Sequence, residues 1–393
     1  MKIDNFLKFW ASFLLVLFCI RYIPLETRAS ISMVKVVVSV ICALLFISYI
    51  KPSLTKAVAI CLVYFAYLYF SASLHPESFR SSTLWYRASF FITFCTFYEL
   101  VHVKEVFSLE NFLKLIKVFI FAYFFVLIIH QLLRLAGINE LLIVNLWYLE
   151  RGIGSNSLSG EPSSFARIMG VLYYAYLKCS EYQQGYPITI QQIFNKDHRY
   201  VTIAFAWSML TMGSGTAFIC LGVLSLYFMR GAYFVFTIPI IFAVYSILSY
   251  YEVKQFERAT TVAEATLSGD TEEVREVDGS ASTRIAPILN TINNLDIGET
   301  ETWFGHGIDY SLNIAKKKGV RMMGEIDDYG LISYLLSLFF VFSCCIDFFS
   351  LGTIMFLLGI GGGTSNIAYC WGILMVFTCL KYFKHNLEEQ NYQ

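Results

Sequence analysis

Apolar runs parted by short polar breaks make up most of this chain, and one long polar stretch, residues 252–328, interrupts them. Crossing about 30 Å of hydrocarbon takes roughly 20 apolar residues in a helix. Against that length the pattern predicts helical spans at 6–20, 31–50, 57–73, 84–101, 112–133 and 163–178, then 200–212, 214–229, 232–250, 329–346, 348–360 and 367–382. The expected fold class is therefore an all-α polytopic membrane protein of about 12 transmembrane helices. It divides into residues 1–133 with five spans, an external loop 134–162, four spans in 163–250, a large external loop 251–328, and three spans with a cytoplasmic tail in 329–393.

Composition agrees with this pattern. Hydrophobic residues make up 57% of the chain and charged residues 15%, with 36 Phe and 26 Tyr, and the mean hydropathy is +0.59. A water-soluble domain has no means of hiding that much apolar surface. Lysines and arginines are retained on the cytoplasmic side of short loops. With the N-terminus inside, Lys2, Lys51, Lys56, Lys104, Lys178, Lys196, Arg199, Arg230, Lys381 and Lys384 fall inside, while Arg21, Arg28, Arg80, Arg134 and Arg151 fall outside. External arginines call for a reason, either lipid headgroups or an anionic substrate. The first span follows Lys2 and Lys8 but lacks a small-x-small cleavage site, so it reads as a retained anchor. The ten cysteines lie in or beside apolar spans and imply no disulfide framework. No P-loop, CxxC pair or HExxH occurs, which leaves ATP hydrolysis and a zinc site without support; no cofactor or metal is expected.

The formal charge is zero overall, which gives no reason to expect a nucleic-acid partner, yet residues 252–328 hold 15 Asp and Glu against 8 Lys and Arg. The acids crowd between Glu252 and Asp278 as a solvated segment. Beyond it, Ile285, Ile288, Leu289, Ile292 and Leu295 recur at helical spacing and predict an amphipathic helix on the outer leaflet that places Arg284 near the headgroups. In the earlier loop, Pro162 suits the first turn of a helix, whose free N–H groups form an anion site. Arg167 then lies about 9 Å deeper than Glu161 at 1.5 Å per residue, and a charge there must face a protein cavity or pair with an acid such as Glu161. The turn Gly213-Ser214-Gly215-Thr216 joins two short spans, so it either lies below the surface and lines a cavity or serves close helix packing. Trp147, Tyr148, Trp303 and Tyr310 suit either sugar stacking or an interfacial belt.

Ser159-Gly-Glu-Pro-Ser-Ser-Phe-Ala, Leu210-Thr-Met-Gly-Ser-Gly-Thr, Ser282-Thr-Arg284, Trp303-Phe-Gly-His-Gly-Ile and Tyr329-Gly-Leu-Ile-Ser-Tyr-Leu-Leu follow in that order. Together they resemble the Wzy-type O-antigen and exopolysaccharide repeat-unit polymerases of the O-antigen ligase and polymerase superfamily. The resemblance covers roughly residues 151–338 and the topology. It implies a GT-C-like fold in the bacterial inner membrane, with the active site facing the periplasm. It also implies transfer of a growing glycan from undecaprenyl diphosphate to a hydroxyl of the next lipid-linked repeat unit. The partners implied are that undecaprenyl-diphosphate-linked oligosaccharide, membrane lipids and, as an option, a chain-length regulator.

Such chemistry needs cations on the diphosphate and a base for the acceptor hydroxyl. Arg284 and Arg151 are the candidates for the diphosphates, with Arg167 in the cavity and Ser214 at its edge. Glu161 or His306 is the candidate base, and Asp327 and Asp328 are reserve acids that alternatively bind sugar or cap the next helix. His306 departs from the position where ligases of the superfamily carry their histidine. An O-antigen ligase, a lipid-linked oligosaccharide flippase and a membrane O-acyltransferase are the rival readings. No internal repeat of the kind transporters show is visible, and the first three spans lack a histidine that an acyltransferase would favour.

Overall fold

The computed structural model describes residues 3–21, 33–50, 54–138, 153–229, 279–320, 322–360 and 368–392, with scattered helical positions between 239 and 268. Among the described residues the only regular elements are helices. The predicted span at 232–250 lies largely outside them, as do residues 139–152 of the first loop.

The N-terminal half contains α1 (Ile3–Cys19), α2 (Met33–Leu45, continued by a π turn), α3 (Lys56–Ser73), α4 (Ser81–His102) and α5 (Leu109–Leu135). The centre contains α6 (Pro162–Gln184), α7 (Arg199–Thr211) and α8 (Gly215–Phe228). Then come α9 (Gly279–Asn293), α10 (Thr300–Phe304), α11 (Tyr310–Lys318), α12 (Gly324–Tyr329), α13 (Leu331–Cys344), α14 (Leu351–Ile360) and α15 (Ala368–Tyr392). Local chemistry sets several boundaries. The Ser108 hydroxyl accepts from the Asn111 N–H to start α5, Glu110 stands at its positive end and Arg134 at its negative end. Pro162 opens α6, and Gly185 ends it in the left-handed region at φ 80°.

Among the described residues two helices, Lys56–Ser73 and Leu109–Leu135, are long and apolar enough to cross a membrane, and Val34–Ser48, Gly215–Phe228 and Leu331–Cys344 are shorter apolar helices. Helix α13 (Leu331–Cys344) fills most of the expected span at 329–346. Gly330, at φ 89°, separates α12 from α13, because a side chain there would strike the Trp303 carbonyl.

Helix directions sort the chain ends into two groups. The Thr55 hydroxyl donates to Glu99 at 2.6 Å, joining the start of α3 to the end of α4. Gln131 and Thr211 join the ends of α5 and α7 at 2.8 Å, and Arg167 and Tyr369 join the starts of α6 and α15 at 2.6 Å. Arg21, Arg80 and Arg134 therefore lie at one end of the bundle, and Lys56, Lys104, Lys178, Lys381 and Lys384 at the other. Between them, where α4, α13 and α15 meet, Phe94 packs edge-on to Phe340 at 4.9 Å and Phe90 stacks on Trp371 at 5.7 Å. The outer surface is apolar as well. Val118, Phe125, Ile129 and Leu132 on α5 are each more than half exposed, an unusual face for a protein surrounded by water.

Candidate active site

At the arginine end, residues 300–330 dock on one face of α3. Tyr67, Ser71 and His75 recur every four residues and so stand above one another. Tyr67 donates to the carbonyls of Trp303 (2.9 Å) and Tyr329 (3.0 Å), and Ser71 to that of Phe304 (2.7 Å). His75 Nε2 meets the Gly305 carbonyl at 2.9 Å. Two backbone stretches cross beneath this row. The His306 N–H donates to the Asp327 carbonyl at 2.9 Å and the Gly307 N–H to that of Asp328 at 3.1 Å. A side chain at Gly305 would strike the Asp328 carbonyl, and Gly305 and Gly307 hold φ values of 80° and 99°. The Phe-Gly-His-Gly spacing is thus the requirement of a close backbone crossing.

Within this crossing α12 inserts among α3, α4 and α13. Glu325 pairs with Arg87, and their side chains are 4% and 8% exposed. The Tyr64 and Ser333 hydroxyls each donate to Glu325 Oε1 at 2.5 Å, and the Arg87 guanidinium lies over the Tyr329 ring at 4.7 Å. Arg87 is six residues into α4, about 9 Å below its start. A charge that deep requires this set of partners, and removing one partner of a buried pair costs about 3–5 kcal/mol.

The crossing brings His306, Asp327 and Asp328 together. His306 Nδ1 lies 3.2 Å from the Asp327 carbonyl. A carbonyl can only accept, so Nδ1 carries a proton, which in the neutral ring leaves the lone pair on Nε2. The ring is fixed by stacking on Tyr310, with centroids 4.1 Å apart and planes at 7°. Asp327 accepts from Thr291 of α9 at 2.8 Å. Burial pushes its carboxyl up, against the opposing effects of the Thr291 hydroxyl and His306. Burial also pushes Asp328 up to about 6, although the Ser311 N–H donates to it at 2.8 Å. Arg80 closes the outer rim through Asp309 at 2.7 Å. The arrangement holds an imidazole in one tautomer beside two carboxyls that resist ionisation.

The remaining described candidates lie at the same end. Glu161 is the extended residue before α6, and its Oε1 accepts from Ser163 at 2.5 Å and from Ser164 at 3.4 Å, contacts that suit a helix start. The preceding loop is pinned to α5, with the Ser157 hydroxyl donating to the Tyr123 carbonyl at 2.6 Å. A Cβ at Gly154 would sit 2.5 Å from the Met212 carbonyl, and one at Gly160 would sit 2.6 Å from Arg21 Nη1. The loop before the Ser-Gly-Glu-Pro turn therefore touches the Gly-Ser-Gly turn at Gly154, and the Ser-Gly-Glu-Pro turn touches the Arg21 guanidinium at Gly160. Arg167 Nη1 donates to Tyr369 at 2.6 Å, and its Nε is buried with no hydrogen-bond partner among the described residues.

The chain matches no family model, no curated protein and no solved structure. Geometry alone therefore bears on the site. It brings His306, Asp327 and Asp328 into one cluster, whereas Glu161 and Arg167 stand at the start of α6 with separate partners and Ser214 precedes α8. Arg151 lies outside the described residues, and Arg284 lies on α9 with a side chain outside them. Sequence reasoning assigned no role to Arg87, Glu325 or Arg21. Arg87 carried a usable signal, being a charge within the apolar run 84–101 that demands a buried acid. The partner was not readable, because Glu325 lies 238 residues from Arg87 in the chain.

Proposed function

We propose that this chain is a polytopic glycosyltransferase of the bacterial inner membrane that polymerises undecaprenyl-diphosphate-linked repeat units on the periplasmic face. The observation that carries the reading is the His306 cluster, an imidazole with its Nε2 lone pair directed away from its backbone bond, at the end of the bundle that also holds Arg21, Arg80, Arg87 and Arg167. The apolar outer faces of α3 and α5 support membrane insertion, and Lys56, Lys104, Lys178, Arg199, Lys381 and Lys384 at the opposite end favour the Arg21, Arg80 and Arg134 end as the outer one.

In this reading the acceptor hydroxyl oxygen attacks the anomeric carbon of the growing glycan. The bond from that carbon to the diphosphate oxygen breaks, undecaprenyl diphosphate leaves with the electron pair, and the hydroxyl proton passes to His306 Nε2. Arginines suit the diphosphate because they stay charged and bind oxygens in pairs. Arg167, with an unsatisfied Nε five residues into α6 and beside Tyr369 at the start of α15, is the best placed of those described, and Arg284 and Arg151 remain candidates from the motif order. Glu161 accepts from the Ser163 and Ser164 hydroxyls at the start of α6 in this scheme, while Asp327 and Asp328 orient the acceptor.

The test is the surface-glycan ladder of cells lacking the gene, complemented with wild type, His306→Gln or Arg284→Ala. Collapse to a single repeat on intact core, rescued by wild type alone, supports a polymerase. Accumulation of lipid-linked polymer with no capped core indicates a ligase, and loss of every external repeat indicates a flippase. Either result sinks the proposal.

A further inference from the structure

The opposite end of the bundle holds a cavity of 280 Å³ between α6, α8, α15 and the turn joining α13 to α14. Lys178, Lys381 and Lys384 line it together with Asp347 and the tyrosines Tyr174 and Tyr227. Each lysine is held in place. Lys178 reaches Glu181 at 2.7 Å, Lys384 reaches Asp347 at 2.8 Å, and Lys381 donates to the carbonyls of Phe342 (2.7 Å) and Ile346 (3.1 Å) at the end of α13. Glu181 and Glu388, the latter 3.6 Å from Lys384, stand outside the lining, so within the cavity three ammonium groups face one carboxylate, Asp347. The volume is just below the lower bound, about 300 Å³, of common small-molecule sites, which suits a headgroup better than a sugar chain.

The mouth of this cavity is apolar. Phe349, a lining residue, is 97% exposed and Phe348 beside it is 58% exposed. Leu226, also lining, continues into Ile219 on the outer face of α8, and Ile354 and Leu357 extend the apolar surface along α14. A ligand suited to both surfaces carries an anion at one end and hydrocarbon at the other.

We propose that this cavity binds the headgroup of an anionic phospholipid, with the phosphate on Lys178 and Lys384 and the acyl chains along α8 and α14. The site lies at the lysine end, where membrane insertion places the leaflet rich in anionic lipid. It depends on the membrane reading above but not on the reaction assigned to the other end.

The experiment takes the purified full chain in neutral detergent and adds phosphatidylglycerol, phosphatidylcholine or inorganic phosphate. Lipid retention is read by native mass spectrometry and stability by thermal unfolding. Phosphatidylglycerol should bind preferentially and raise the melting temperature, and Lys178→Gln/Lys384→Gln should weaken its binding about 30-fold, each lysine near a charged lipid contributing about fivefold. Lys384→Gln alone, at a side chain 44% exposed, keeps the test available if the double variant fails to fold, and should cost about fivefold. Equal retention of the two lipids, or unchanged binding in the variants, overturns the proposal. An equal rise with inorganic phosphate refutes the lipid and leaves a soluble anion as the ligand. Loss of the glycan ladder is not part of this readout, so failure here and failure of the polymerase reading are separate results.

Discussion

Glu325→Gln keeps the shape of the side chain while removing the charge that holds Arg87, and so isolates the ion pair from packing. Both side chains are nearly inaccessible, so water cannot replace the lost partner, and an uncompensated buried charge costs about 3–5 kcal/mol. Unfolding entropy near 2.1 cal/mol/K per residue gives about 0.8 kcal/mol/K for a chain of this length, so the melting temperature should fall by roughly 4–6 °C. The ten cysteines are unpaired, and nine of them are buried; a dye that fluoresces on reaction with thiols therefore reports unfolding in detergent. The double variant Arg87→Met/Glu325→Leu removes both charges and should recover most of the loss, because replacing an entire buried pair by apolar side chains is close to neutral. The reasoning is wrong if Glu325→Gln melts with wild type, or if the double variant falls by the sum of the two single losses instead of recovering.

His306→Gln should leave melting unchanged within about 1 °C and cut polymer formation about 10²–10⁴-fold, measured as incorporation of labelled repeat units by membranes. Asp328 has a folded-state carboxyl raised above its ordinary value to about 6. Its ionisation therefore opposes folding above that pH, and the penalty is relieved as pH falls from 6 toward 4. Asp328→Asn should accordingly melt above wild type at pH 8, with the gap narrowing below pH 6 and closing toward pH 4; a gap independent of pH refutes the assignment. Gly330→Ala drives a methyl group into the Trp303 carbonyl at φ 89° and should undock residues 300–320. Trypsin should then cut after Lys316, Lys317 or Lys318 at least about tenfold faster, reflecting an opening made easier by more than 1.4 kcal/mol.

Local signals in the chain predict local structure well and long-range pairing poorly. The start of α6 at Pro162 and the helix in the segment that follows residue 278 were readable from a proline and from periodicity. The amphipathic helix differs from a lone surface helix in one respect. Ala286 and Thr291 are buried, with Thr291 engaging Asp327 and the Met323 N–H, while Ile292 is 61% exposed. Apolar periodicity misses this because the contact that orients α9 is a hydroxyl. The docking of residues 300–330 on α3 was equally invisible. Tyr67 and Ser71 read as ordinary members of an apolar run, and their hydroxyls acquire meaning only when carbonyls from more than 230 residues away arrive.

The buried Nε of Arg167 separates a structural arginine from one waiting for a ligand. Its Nη1 already has Tyr369 as acceptor, so a purely structural role needs one hydrogen bond and the charge, both of which lysine supplies. A ligand role needs the fork, because an anion bound beside it would accept from Nε and the remaining guanidinium N–H groups together. Arg167→Lys should therefore fold and melt like wild type, yet lose about 1.5–3 kcal/mol of binding, the range for a charged hydrogen bond, which is about 10- to 150-fold in affinity for a lipid diphosphate. Tyr369→Phe gives the converse, a small change in melting with affinity kept, since it removes an acceptor that the ligand does not use. Equal loss of stability in both variants with unaltered diphosphate affinity would make Arg167 a strut between α6 and α15, and would move the anion site to Arg21 and its neighbours on the Ser-Gly-Glu-Pro turn.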